Sequence, residues 1–259
     1  PLQMANEIHS IIWSFTYAVG MAISGFIVNW YGVKTAFILD ALIFTIALIV
    51  FIRIDFIVKA SIATDKFFEL IKDGFRYIKN DKIILHLIFL HSSVGLTSFD
   101  ALITILAKNE YKYVISVPLA IGISNAVRAV ALMFGPIFIS KYVTKQNLHY
   151  LLIFQGIAII LWGLMQDNFY VSLIALFIVG LSTTTLWSFT YALLQDKCDE
   201  KYIGRVISYN DMFFMLSCIV TTLFIGLMAS LTSIDIITIL LGLGFLAFAF
   251  YYTRILKWI

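Results

Sequence analysis

The chain has 259 residues, of which 61% are hydrophobic and only 13% are charged, and its mean hydropathy is +0.97. An average soluble domain has about 25% charged residues, so this composition excludes a water-soluble fold and indicates an integral membrane protein. The formal net charge is only +3, and no basic and aromatic patch lies outside the loops. Nucleic acid is therefore not an expected partner.

Apolar segments fill nearly the whole chain. The hydrocarbon core of a bilayer is ~30 Å thick, and a helix needs about 20 mostly apolar residues to cross it. The runs are continuous and do not alternate with period two, which favours helices over the strands of a membrane barrel. The sequence thus predicts an all-α, polytopic bundle of transmembrane helices. The eight predicted spans are 8–29, 33–52, 83–106, 117–139, 149–166, 169–194, 206–230 and 234–253.

The longest interruption lies between the second and third spans, at 53–82. Within it, residues 65–79 repeat apolar residues at helical spacing and place charges on the other side, which predicts an amphipathic helix along the inner membrane face. This helix is either a linker that rests on lipid or an element with a regulatory or partner-binding role. The interruption divides the chain into a two-helix part at 1–52, the linker, and a six-helix part at 83–259.

The distribution of Lys and Arg predicts the orientation. Fourteen of the 18 such residues fall in the linker, in alternate loops and in the C-terminal tail, all on one side of the predicted membrane. Only Lys34, Lys108 and Lys112 fall on the other side, and Arg128 lies within a span. Because basic residues of short loops are retained in the cytoplasm, both ends of the chain should face the cytoplasm.

Several motifs resemble a known family, the major facilitator superfamily, and within it most closely the enterobactin-exporter-like branch. The early stretches are similar to helices five and six of that family, and the later ones to its loop before helix seven and its turn between helices ten and eleven. These stretches are Met4-Ala-Asn-Glu7, Gly20-Met-Ala-Ile-Ser-Gly25, Gly32 to Phe44, Asp73-Gly-Phe-Arg-Tyr-Ile-Lys-Asn-Asp81, Tyr191-Ala-Leu-Leu-Gln-Asp196 and Tyr202-Ile-Gly-Arg-Val206.

The resemblance implies that the eight spans are the last eight of a twelve-helix transporter, so that the chain would be part of a longer protein. Residues 1–52 would then be the last two helices of an N-terminal bundle, and 83–259 the C-terminal bundle. It further implies a monomer in the bacterial inner membrane that exports a small, partly apolar molecule, siderophore-like or drug-like. Alternating access would drive this export by proton antiport, with the substrate, protons and membrane lipids as partners.

Ionisable side chains within the bilayer are the first candidates for transport, because each costs ~2.5–3.5 kcal/mol to insert. Asp100 lies in the outer part of the third predicted span, and Arg128 lies near the middle of the fourth, beside Asn125. Neighbouring antiparallel helices would allow an ion pair between them. The pair could clamp the two helices, or Asp100 could bind substrate or protons at a cavity. Arg128 could instead face an anionic substrate.

Further polar positions are candidates for a gate or a cavity wall. Asp40 matches a position of the family, and we expect it to make a structural polar contact. Asp211 is expected near the cytoplasmic gate, where it pairs with Arg205 or caps local backbone. The segment 183–190 mixes hydroxyls with aromatic rings, as a cavity wall would, and Thr184 and Trp187 are its candidates.

Catalytic, metal and cofactor sites have no candidates. The sequence lacks a Ser-His-Asp arrangement, a Cys-x-x-Cys motif, a phosphate-binding glycine loop and paired carboxylates. His86 and His91 are five residues apart and do not share a helix face. The sequence therefore predicts a transporter, not an enzyme. The alternatives are a lipid or lysolipid transporter, and a non-transport membrane protein that acts on lipids or serves as a scaffold.

Overall fold

The structure, a computed structural model, describes residues 2–54 and 67–259, and the regular elements in these ranges are helices. The all-α prediction is confirmed for this part of the chain. Short 3-10 turns connect several of the helices. The helices are α1 (Leu2–Ile52), α2 (Phe67–Asn80), α3 (Lys82–Ser92), α4 (Asp100–Asn109), α5 (Val117–Phe138), α6 (Leu148–Leu164), α7 (Phe169–Lys197), α8 (Ile203–Met228) and α9 (Ile234–Ile255).

Six helical stretches of the described residues are long and apolar enough to cross a membrane, and α6 is a shorter apolar helix. The first stretch is α1, whose 51 residues exceed what one span requires. Its helical geometry is broken at Gly32, where φ is 81° and ψ is 167°. Glycine adopts such a positive φ without steric cost. The break falls between the predicted spans 8–29 and 33–52, and the total of eight spans stays a prediction.

The third predicted span, 83–106, is not one continuous helix. Helix α3 ends at Ser92, a 3-10 turn covers Ser93–Thr97, and α4 begins at Asp100. Hydroxyls compete for the backbone here, since Ser93 Oγ donates to the carbonyl of Leu90 at 2.6 Å and Thr97 Oγ1 to that of Val94 at 2.8 Å. The stretch Lys82–Asn109 is long and apolar enough to cross the membrane, as predicted, but a count of apolar residues does not reveal the interruption, because it ignores these hydroxyls.

The two halves of α1 have different surroundings. The first half packs along α5 and α7, whereas the side chains from Phe37 to Ile52 are exposed. Asp40 lies in the exposed half and makes no hydrogen bond or ion pair with another described residue. The expected structural contact of Asp40 is therefore absent from the part of the chain that the structure describes, because no described helix packs against it.

Helices cross closely where glycines face each other. A Cβ added at Gly122 of α5 would lie 2.8 Å from the carbonyl oxygen of Met21 and 2.9 Å from the Cα of Gly25 in α1. Gly156 and Gly242 make an equivalent crossing between α6 and α9. In a bilayer, where burial of apolar surface does not drive association, such close van der Waals contact of small residues holds helices together.

We expect Gly122→Ala to destabilise the bundle by about 1–3 kcal/mol, because its methyl group meets backbone atoms of α1 that cannot move alone. The matched control is Gly226→Ala in α8, where a Cβ would have no neighbour within 4 Å. Thermal unfolding in detergent, followed by size-exclusion chromatography, measures both variants. Equal melting temperatures for the two would contradict the α1–α5 contact.

The topology is tested with single cysteines in a background in which Cys198 and Cys218 are replaced by serine. Gln146 and Asp167 are exposed at opposite ends of α6. A cysteine at Gln146 should react with a membrane-impermeant maleimide from the cytoplasm and one at Asp167 only from outside. A cysteine at Lys201, at the far end of α7, is the control and should behave like Gln146. Labelling of positions 146 and 167 from the same side would rule out α6 as a span.

Candidate functional site

The first half of α1 and the helices it faces enclose a cavity of about 380 Å³. One wall comes from α1, and the opposite walls come from the interrupted stretch between α3 and α4 and from α5, α7 and α8. Its lining residues are His9, Ser10, Trp13, Ser14, Tyr17, Val94, Thr97, Ser98, Asp100, Arg128, Leu132, Thr183, Thr184, Trp187, Phe214 and Met215. The volume suits a small organic molecule.

The interruption after α3 shapes one wall of this cavity. Irregular backbone is tolerated at membrane depth only where protein buries it or where it lines a cavity. Gly95 lets this segment approach α8, since a Cβ there would lie 2.6 Å from the Cβ of Ser217. The segment thereby places Thr97, Ser98 and Asp100 on the cavity surface.

Asp100 and Arg128 line the same cavity but do not pair. The ion pair of the described residues is Asp73–Arg205, so the expected Asp100–Arg128 pair is not formed in this structure. Asp100 instead accepts a hydrogen bond from Tyr17 Oη at 3.0 Å. Asp100 begins a new helix after the interruption, so it does not occupy the position that an unbroken third helix would give it.

The guanidinium group of Arg128 is the least satisfied group of the cavity. The residue is only 9% exposed, and its Nη1 has no hydrogen-bond partner among the described residues. Its Cζ lies 5.5 Å from the centroid of the Phe99 ring, a cation–π distance. A buried cation with a free donor is costly in an apolar bundle. Because Arg128 lines the cavity, its guanidinium group is a candidate contact for a ligand there.

Aromatic rings form much of the apolar surface. Trp13 stacks on Tyr17 at a centroid distance of 5.1 Å, and Trp187 stacks on Tyr191 at 4.8 Å. The Trp187 ring also lies 6.4 Å from His9 across the cavity, so α1 and α7 face each other through their rings. The surface suits a flat apolar molecule.

His91, which the sequence analysis considered only as a metal ligand, lies behind the cavity wall. It is fully buried, its Nδ1 lies 2.8 Å from Thr190 Oγ1, and its Nε2 has no partner among the described residues. Its ring packs edge-on against Trp187 and lies 5.7 Å from Phe214, and both of these line the cavity. The signal for His91 in the sequence was a polar ring in an apolar run, but its hydrogen-bond partner, Thr190, is 99 residues away.

The structure brings together four of the five predicted substrate or proton candidates. Asp100, Arg128, Thr184 and Trp187 line the cavity, whereas Asn125 does not. Asn125 is buried one turn before Arg128, and its Oδ1 has no partner among the described residues.

The gate candidates lie elsewhere. Arg205 pairs with Asp73 of α2 at 2.9 Å, and not with Asp211 as the sequence suggested. Asp211 interacts with the hydroxyl of Tyr191 and with the side chain of Asn210. The reason is that α2 lies beside the start of α8, which brings the carboxylate of Asp73 within hydrogen-bond distance of Arg205.

The first half of α1 is tied to the rest of the bundle at both ends by side-chain hydrogen bonds. At its beginning, Gln3 donates to Ser140 at 2.9 Å, Ser140 donates to the carboxylate of Glu7, and Asn6 donates to Gln195 at 2.8 Å. Beyond the cavity, Ser116 donates to Asn29. The cavity therefore lies between two sets of polar contacts.

The sequence model of the Major Facilitator Superfamily matches residues 2–222, which is most of the chain. The chain belongs to this superfamily. It is accordingly a multi-pass membrane protein and a transporter of the major facilitator type. Searches of curated proteins and of solved structures gave no significant match.

A double-mutant cycle tests which partner Asp100 has. We expect Tyr17→Phe and Asp100→Ala each to lower thermal stability by about 1–2 kcal/mol, and the double variant to lose no more than either alone, because both remove the same hydrogen bond. Asp100→Asn with Arg128→Gln is the comparison cycle and should be close to additive. The opposite pattern of coupling would show that Arg128, and not Tyr17, is the partner.

Proposed function

We propose that this transporter exports a small, partly apolar molecule from the cytoplasm by alternating access, with coupling to protons. The observation that carries the proposal is the cavity, which is lined by aromatic rings and by Arg128, whose Nη1 has no hydrogen-bond partner among the described residues. Transporters bind their substrates in such cavities near the middle of the membrane, often beside interrupted helices. The direction of transport rests on the resemblance to the exporter branch.

The lining supports a substrate with two kinds of surface. The stacked rings of Trp13 and Trp187 suit a flat apolar or aromatic body, as in siderophore-like or drug-like molecules. Arg128 Nη1 supplies a donor for an acceptor oxygen of the substrate, and the Thr184 hydroxyl at the cavity edge adds a second polar contact. A purely apolar molecule would leave the Arg128 donor without a partner.

Alternating access requires α1 to move relative to α5 and α7. Most of the hydrogen bonds that tie its two ends join neutral groups and contribute ~0.5–1.5 kcal/mol each, and the one from Ser140 to the Glu7 carboxylate contributes ~1.5–3 kcal/mol. One set can therefore break while the other holds, which would open the cavity to one side at a time. The sets are Gln3–Ser140 with Asn6–Gln195 at one end, and Asn29–Ser116 at the other.

Asp100 is the proposed proton-binding residue. Its carboxylate lies at the cavity surface with the Tyr17 hydroxyl as its partner, so a tilt of α1 would remove this hydrogen bond. Movement of α1 would in this way link proton uptake and release to the opening of the cavity.

The test uses export of the aromatic dye 1-anilinonaphthalene-8-sulfonate, whose sulfonate supplies acceptor oxygens, from vesicles with and without an imposed proton gradient. Asp100→Asn should abolish accumulation driven by the gradient and retain dye exchange at zero gradient. Asp167→Asn, an exposed carboxylate outside the cavity, is the matched control and should behave like the wild type. Trp187→Ala should weaken transport in both assays, because it removes one aromatic wall.

Two results would contradict the proposal. If the wild-type protein moves no aromatic dye and Trp187→Ala behaves in the same way, the cavity is excluded as the transport site for such molecules. An Asp100→Asn variant that still concentrates dye against a gradient would place the proton site elsewhere.

A further inference from the structure

Helix α2 presents three distinct faces, since successive residues of a helix turn by about 100°. One face is covered by the protein and includes Gly74 and Ile78, which are buried. A second face is apolar and exposed, and a third is basic and exposed. The apolar face consists of Phe68, Ile71 and Phe75, which are 72%, 40% and 53% exposed. The basic face consists of Lys72, Arg76 and Lys79.

The covered face fixes α2 to the start of α8. Asp73 pairs with Arg205 at 2.9 Å, and Tyr209 Oη donates to the carbonyl of Ile71 at 3.1 Å. Gly74 allows this approach, because a Cβ there would lie 2.9 Å from the Cβ of Arg205. The helix is therefore held in one rotational setting, and its exposed faces have fixed directions.

A second contact holds the far end of α2. The Tyr77 ring stacks on Tyr202 at 4.3 Å, and the Tyr77 hydroxyl accepts a hydrogen bond from the backbone N–H of Asp199 at 3.1 Å. Burial raises the pKa of the Tyr77 phenol above its ordinary value. Tyr77 thus stays neutral at physiological pH and anchors α2 without adding charge.

The position of α2 along the chain places it at the membrane surface. Only Asp81 separates it from α3, and Asp81 caps that helix by accepting from the N–H groups of Ile83 and Ile84. The apolar stretch Lys82–Asn109, which is long enough to cross the membrane, begins at the next residue. The exposed faces of α2 therefore lie at the level where lipid headgroups meet the hydrocarbon core.

We propose that α2 is a binding surface for anionic phospholipid. Phe68, Ile71 and Phe75 enter the interface, and Lys72, Arg76 and Lys79 bind the headgroup phosphates of the same leaflet. The apolar and basic faces adjoin each other, which is the arrangement that amphipathic helices use at anionic membranes. The exposed acidic residue among these faces is Glu69. The three cations outnumber it, so the net charge of the surface is positive.

The consequence for the transporter follows from the anchoring of α2. The same α8 that receives the Asp73–Arg205 pair carries Phe214 and Met215, which line the cavity. A lipid that holds α2 at the membrane surface would therefore also hold the base of a helix that forms the cavity wall.

The experiment uses the full chain in vesicles and a bimane fluorophore on Phe75→Cys, with Cys198 and Cys218 replaced by serine. Trace phosphatidylglycerol or phosphatidylcholine with a spin label on its acyl chain is added to phosphatidylcholine vesicles, and quenching is compared. We expect the anionic lipid to quench several-fold more than the zwitterionic lipid. Ile71→Cys provides a second labelled position should Phe75→Cys fold poorly.

Charge removal then identifies the binding face. Each Lys or Arg at an anionic surface contributes about fivefold, or ~1 kcal/mol. Changing Lys72, Arg76 and Lys79 to Gln should therefore bring the ratio of the two quenching values to one. The control removes the same number of exposed charges elsewhere, at Lys141, Arg254 and Lys257, and should keep the preference. High salt should weaken it.

Equal quenching by the two lipids in the parent protein would overturn the proposal, as would a preference that survives loss of the three charges. A fluorophore that neither lipid quenches, but whose emission shifts with added polyglutamate, would overturn it in favour of an acidic protein partner. The readout does not depend on transport, so its failure and the failure of the proposed function are separate results.

Discussion

The close crossing of α1 and α5 at Gly25 and Gly122 is the contact on which the candidate site depends. Helix α1 supplies Trp13 and Tyr17 to the cavity, and it can reach the opposite walls only because two backbones meet without side chains between them. In lipid this contact is stabilised by van der Waals packing and not by removal of apolar surface from water.

The interrupted helix between α3 and α4 is the second determinant of the site. An unbroken helix would satisfy its own backbone groups and would present only side chains to the cavity. The hydroxyls of Ser93 and Thr97 and the small Gly95 instead permit a 3-10 turn, after which Asp100 begins a new helix. The interruption costs some helical hydrogen bonding, and it produces a polar wall in an otherwise apolar bundle.

Charge is distributed unequally between the cavity and the membrane surface. Within the cavity, Nη1 of Arg128 has no hydrogen-bond partner among the described residues, and Asp100 accepts from the Tyr17 hydroxyl. At the surface, Arg205 and Asp73 pair directly and fix the position of α2. Asp100 and Arg128 thus differ from the surface charges, because neither has an ion-pair partner in the part of the chain that the structure describes.

That the protein is a helical membrane protein of the major facilitator type follows from its sequence alone. Continuous apolar runs of span length admit only helices, and motifs such as those around Gly20 and Asp73 pointed to the superfamily that the family comparison confirms. Helical periodicity also predicted the amphipathic helix that the structure describes at Phe67–Asn80; the start of that prediction, at Asp65 and Lys66, lies outside the described residues.

The partners of the charged side chains follow from the packing of helices that are distant in the chain. The sequence allowed an Asp100–Arg128 pair and, as one alternative, an Arg205–Asp211 pair, whereas the structure pairs Asp100 with Tyr17, and Arg205 with Asp73. These partners are 83 and 132 residues apart, and periodicity, which measures spacing within one helix, carries no information about contacts between helices. Hydroxyl-bearing residues and Gly95 interrupt the stretch between α3 and α4, and other glycines let helices approach each other closely. These local features determine which side chains lie beside Asp100 and Arg205.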